Sequence, residues 1–245
     1  MTSPEAQGNF LVHQFGLAKL HEFVEPLAKP LLGPLGFECV GPLKWVRSTD
    51  APIRQVFCLL YLKTKAWPFW GLSLDFVPHV SGRDLKWHRT PKSARLDLCF
   101  QAEGWELAIP CTYLQGSEDR TTVSKTLQDI YLHSSESVAD HIRNRAAHVI
   151  PKAVSEAREV WSRVQSIADL PAAFEWIRDY LSSRPGLGFY NFTQHPIAYA
   201  FALAINGRSA EGQQELNGYI AGSRRLDQKS EARLRRLFSE VQQHP

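Results

Sequence analysis

Residues 70–77, "WGLSLDFV", alternate strictly, with Trp70, Leu72, Leu74 and Phe76 on one side and Gly71, Ser73, Asp75 and Val77 on the other. A period of two sends successive side chains to opposite faces of a strand, so one face of this segment belongs to a core and the other turns mostly to water. The neighbouring runs repeat the theme. "LKWVRS" (43–48), "IRQVFCLLYLK" (53–63), "RLDLCFQ" (95–101) and "WELAIPCTYL" (105–114) are short, rich in β-prone residues and divided by turn signals. The separators, among them "STDAP" (48–52) and "VSGRD" (80–84), are too short for helical crossovers, and therefore predict antiparallel hairpins over 37–114.

Outward from this block the period changes. Upstream, apolar residues from Phe10 through Phe15, Leu20, Phe23, Val24 and Leu27 to Leu32 recur at helical spacing, which predicts an amphipathic helix over 10–32, bent or closed near Pro26 and Pro30. Downstream of Gln115 the pattern predicts helices over 122–132, 135–150, 151–167, 171–181, 196–205, 210–220 and 228–241, with Pro151, Pro171 and Pro196 each in a first turn, where a missing N–H costs nothing. "SSRPGLGFYNFTQH" (182–195) is the longest helix-free stretch of that half and the best internal boundary. The fold class expected is α+β: an antiparallel sheet of about five or six strands with helices packed on one face, followed by a helical C-terminal tail. Residues 1–181 form the α+β domain; residues 182–245 supply a helical hairpin and a last helix, which must dock on the main body because one such hairpin cannot bury its own apolar face.

Composition narrows the function classes. The 245 residues are 44% hydrophobic, enough for a substantial core, and 28 basic against 25 acidic residues leave a net charge of only +3. Cys39, Cys58, Cys99 and Cys111 stand far apart without a C-x-x-C pair, which predicts buried free thiols and no zinc. The first residues carry no secretory pattern and no apolar run approaches the ~20 residues of a membrane span, so the expectation is a cytoplasmic chain that does not enter a membrane. No cofactor is implied.

Three groupings could carry chemistry or binding. In "LHSSESVADHIRNRAAH" (132–148), His133, His141 and His148 lie eight and seven residues apart. Those steps are about 12 and 10.5 Å on a helix, too far to share an ion, so His141 and His148 are expected to pack at the rim of an apolar stripe. Asp75, His79 and Asp97 could meet on the polar face of neighbouring strands and support a metal-assisted hydrolase or nuclease, although no H-E-x-x-H, G-x-S-x-G or phosphate-loop motif accompanies them. Arg224, Arg225, Arg233, Arg235 and Arg236 make the last helix locally basic and offer the alternative of nucleic-acid binding. Against both stands the concentration of aromatics in the sheet block. Trp67, Phe69, Trp70 and Trp87 suit anchors for a protein partner.

The order of helix, Leu-rich turn into Gly-Phe, and aromatic and arginine on the first hairpin is carried by Leu31, Leu32, Leu35, Gly36, Phe37, Trp45 and Arg47. In this the chain resembles a family of uncharacterised bacterial proteins, over roughly residues 10–160. It departs from the pattern after the third strand, in "PHVSGRDLKWHRTPKSARLDLCF" (78–100). The resemblance brings no catalytic residues. It implies a bacterial protein of conflict systems, an immunity protein that neutralises a toxin, and so a non-enzymatic protein-binding module.

Overall fold

The computed structural model describes residues 11–49, 52–62, 64–81, 84–101, 107–116, 130–133, 137–182, 195–223 and 226–243. In chain order these form β1 (Leu11–Gln14), α1 (Leu17–Leu32), β2 (Glu38–Gly41), β3 (Lys44–Ser48), β4 (Ile53–Leu62), β5 (Lys65–Leu74), β6 (His79–Ser81) and β7 (Asp84–Lys86). Then come β8 (Leu98–Gln101), β9 (Ile109–Pro110), β10 (Thr112–Gly116), β11 (Ile130–His133), α2 (Val138–Ser162), α3 (Leu170–Ser182), α4 (His195–Ile205), α5 (Ser209–Gly222) and α6 (Gln228–Gln243). The fold is α+β. Six strands make the main antiparallel sheet in the order β2-β3-β4-β5-β8, with β9 also paired to β5; β6 and β7 form a separate hairpin, and β1, β10 and β11 a small second sheet.

The long hairpin β4–β5 sets the register, opposing Phe57 to Trp70, Gln55 to Leu72 and Ile53 to Leu74. Trp45 and Phe100 extend the same row on β3 and β8, giving one apolar face that helix α2 covers. The α2 side of that contact is a stripe through Val138, Ile142, Val149, Ala153 and Val160, at the spacing an amphipathic helix needs. Trp161, at its end, donates its indole N–H to the carbonyl of Gly71 at 3.3 Å. Gly71 has φ +155°, and a Cβ there would lie 1.8 Å from the Leu98 carbonyl oxygen, so only glycine lets β5 and β8 meet at this point.

The tail shares this core. A continuous apolar cluster runs from Leu20 through the sheet to Phe201, Leu234 and Phe238. Helix α4 is buried almost all round, and Phe238 meets Phe201 edge to face at 5.5 Å. Helix α3 packs on α4, and α6 reaches β7. Among the described residues no helix is long and apolar enough to cross a membrane.

Four local expectations are corrected. Residues 11–14 are a strand, not the start of a helix, because Leu11–Gln14 pair antiparallel with Thr112–Gln115; α1 begins at Leu17. Residues 130–132, read as a helix end, belong to β11, which runs parallel to β10. Pro151 lies inside one continuous helix, α2, and does not open a new one. Pro151 and Ala147, whose carbonyl its missing N–H would have served, are both exposed, so water can take the orphaned acceptor. The helix is capped by Ser137, whose hydroxyl accepts the Asp140 N–H; Ser135, the expected start of the helix, lies outside the described residues, as does the segment 117–129. Finally, Cys58, Cys99 and Cys111 are buried free thiols as expected, while Cys39, on the edge strand β2, is exposed.

Candidate functional site

The outer face of the main sheet holds most of the residues singled out from the sequence, and it is not the wet face that alternation predicts. Residues 87–97 cross it as a strap. Ala94 packs on Val46 and Val56, and Leu96 on Cys58, Phe69 and Cys99. The strap is held by main-chain contacts at several points: Lys44 Nζ donates to the carbonyls of Lys92 (3.0 Å) and Ala94 (2.5 Å), and Ser73 Oγ accepts the Arg95 N–H at 3.1 Å. Arg54 donates to Asp75 and to the Arg89 carbonyl, and Arg89 Nε donates back to the Asp75 carbonyl at 2.9 Å.

This geometry assigns Asp75 and Asp97 to tying down chain. Asp75 is ion-paired with Arg54. Asp97 accepts the Leu74 N–H at 2.7 Å, supplying an acceptor just before β8 begins, and burial pushes its carboxyl up to about 7 against the pull of that hydrogen bond and of Arg95. His79 meets His88 edge to face at 5.6 Å; burial first, then Arg95 and His88, push His79 down to about 4, so it is neutral near pH 7. Asp75, His79 and Asp97 are not gathered around a common point. Among the described residues the one set of three His, Cys, Asp or Glu side chains close enough to share an ion is His21, Glu25 and Cys39, so the structure does not assemble the alternative metal trio of Asp75, His79 and Asp97.

The electrons on His21 decide what that second cluster can do. Its Nδ1 accepts the Leu43 N–H at 3.3 Å, so the neutral ring carries its proton on Nε2, which lies 3.4 Å from Glu25 and 3.9 Å from Cys39. A metal on Nε2 would force a proton onto Nδ1, opposing two donors across the Leu43 contact, whereas metal-ligating histidines donate through their other nitrogen. The cluster fits a ring held by the Leu43 N–H with the Glu25 carboxylate beside its Nε2. It does not fit a metal centre.

Of the four predicted aromatic anchors, Phe69 and Trp70 are buried, Phe69 under the strap and Trp70 beneath α2, and cannot touch a partner. Pro68 sits within β5, where β9 pairing stops at Ala66 and β8 pairing begins at Phe69; its missing N–H falls in that gap. Trp67 is half-buried, and half-buried Trp87 lies under the Arg89 guanidinium at 3.9 Å. His141 packs edge to face on Tyr113 at 5.6 Å and His148 is exposed, so the rim reading holds for the first and not the second.

On α6, Arg235 pairs with Glu231 at 2.9 Å and Arg236 with Glu240 at 3.4 Å, spending two of the predicted cations on neighbouring acids; Arg233 is exposed, and Arg224 and Arg225 lie outside the described residues.

Two features escaped the sequence. Leu11 (65% exposed), Val12 (62%) and Leu17 are the large apolar side chains the described residues leave exposed, and the first two sit on β1, the end strand of its sheet. A cavity of about 350 Å³ opens between the strap and the Pro42-Leu43 turn. Leu43 there has φ +57°, a left-handed conformation that costs a bulky residue about 1–3 kcal/mol and that glycine or asparagine usually fills. No family model matches the chain, and no curated protein or solved structure matches it.

Proposed function

We propose that the chain is a non-enzymatic protein-binding module that receives an extended segment of its partner along β1. The observation that carries this reading is the concentration of exposed apolar side chains, Leu11 and Val12, on a strand paired on one side only among the described residues. Such an edge offers main-chain donors and acceptors for affinity, and its side chains give selectivity. The anchors therefore shift from Phe69 and Trp70 to β1, with Trp67 and Trp87 as half-buried residues of the outer face. The resemblance to bacterial conflict proteins makes a cytoplasmic protein toxin the first partner to test.

The experiment compares the full chain with Leu11→Lys and Val12→Lys. The proposal expects a stoichiometric partner recovered from native extract by the wild type, and its loss with either variant at unchanged circular dichroism. Recovery of the same partner by both variants, or of none by the wild type, contradicts it. Sedimentation of the purified chain separates a foreign partner from a second copy.

A further inference from the structure

The cavity between the strap and the Pro42-Leu43 turn is lined by Val56, Leu60, Leu96 and Cys99 among other apolar groups, and its two charged lining residues, Lys44 and Arg95, are both cations. Its volume of about 350 Å³ falls in the range of small-molecule sites, ~300–1,000 Å³. Lys44 has spent donors on two backbone carbonyls, and no carboxylate lies within ion-pair distance of it among the described residues. Arg95 is half-buried, its main-chain N–H is held by Ser73, and its guanidinium makes no hydrogen bond or ion pair among the described residues. Asp97, the acid that attracts Arg95, is committed to the Leu74 N–H, and its raised pKa leaves it partly protonated near neutrality.

Burial first, and the Arg95 charge after it, draw Lys44, His79 and His88 down, with Cys58 opposing at Lys44 and Ser93 at His88, and the same charge opposes the rise at Asp97. Two cations line this apolar hollow, Lys44 with no carboxylate in ion-pair distance among the described residues and Arg95 with only the partly ionised Asp97 near it, and they define the complement: an anionic head on an apolar body.

We propose that this cavity binds a small monocarboxylate with an apolar body, its carboxylate on Arg95 and Lys44 and its hydrocarbon against Val56, Leu60, Leu96 and Cys99. The site is separate from β1, so the two readings fail independently. The test is calorimetric titration of the full chain with sodium decanoate, 1-decanol and decyltrimethylammonium, which share one tail and differ in head. Decanoate binds at least about tenfold more tightly than decanol, and the ammonium does not compete with it. Arg95→Gln brings decanoate to the level of decanol, while Leu11→Lys leaves it unchanged.

Equal affinity for decanoate and decanol, or no binding of decanoate at millimolar concentration, overturns the proposal. So does undiminished decanoate binding by Arg95→Gln. If that variant fails to fold, the ranking of the three heads on the wild type decides alone.

Discussion

Replacing His195 by glutamine tests how the tail is locked to the sheet. His195 is 8% exposed, and its Nε2 accepts the Cys99 N–H from β8 at 3.1 Å, which requires a neutral ring. Burial pushes it from the ordinary 6.5 down to about 4, and the positive end of α4 disfavours the same charge. Between those values the unfolded chain binds a proton that the folded chain refuses. This contribution is therefore full above pH 6.5 and lost as pH falls toward 4; at about 1.4 kcal/mol per pH unit it amounts to about 3 kcal/mol. Asp97 acts with the opposite sign: raised from 3.8 to about 7 on folding, it contributes fully below 3.8 and loses that contribution as pH rises through 7. The two slopes oppose each other between pH 4 and 6.5, so a pH curve of the wild type alone conceals His195. The difference between wild type and His195→Gln removes every other group, because glutamine can accept the Cys99 N–H but does not titrate. In urea unfolding, the advantage of the wild type shrinks by about 3 kcal/mol from about pH 7 to about pH 4. A difference that stays constant within about 0.5 kcal/mol over that range refutes the reasoning.

Two substitutions probe the packing that positions these groups. Gly71→Ala sets a methyl 1.8 Å from the Leu98 carbonyl oxygen, a backbone atom that cannot step aside without opening β5 from β8, so a loss of about 4 kcal/mol or failure to fold is expected; a loss under about 1 kcal/mol in urea unfolding contradicts the close approach. Phe238→Ala deletes a fully buried ring that rests on Phe201, and costs about 3–5 kcal/mol with faster amide exchange in α4 and α6; unchanged exchange there contradicts a shared core.

What was legible followed from short-range pattern. The alternation in residues 70–77 and the β-prone run at 53–63 placed the central hairpin, because register follows once one face must be buried. What was not legible depended on distant partners. Leu11–Gln14 and Ile130–His133 become strands by pairing with Thr112–Gly116, and four residues are too few for their own period to announce it. Helical spacing around Pro151 suggested two helices, since sequence does not reveal that the proline and its orphaned acceptor both face water.

The deepest misreading concerned the second face of the sheet, and it has one cause. Alternation assigns Gly71, Ser73 and their neighbours to solvent, yet Ser73 is fully buried and Phe69 with it, because "WHRTPKSARLD" (87–97) lies over them. That segment carries the composition of an exposed loop: basic, polar, with a proline and no apolar run. Its docking rests on Ala94 and Leu96, on donors from Lys44 and Arg54 and on the Ser73 hydroxyl as acceptor, acting mostly on backbone. Side-chain pattern does not encode such contacts. The same strap that makes Phe69 unavailable as an anchor carries Arg95 to Lys44 above the apolar rows of β4 and β8, so the closing of one surface and the creation of a cationic hollow are a single event of folding.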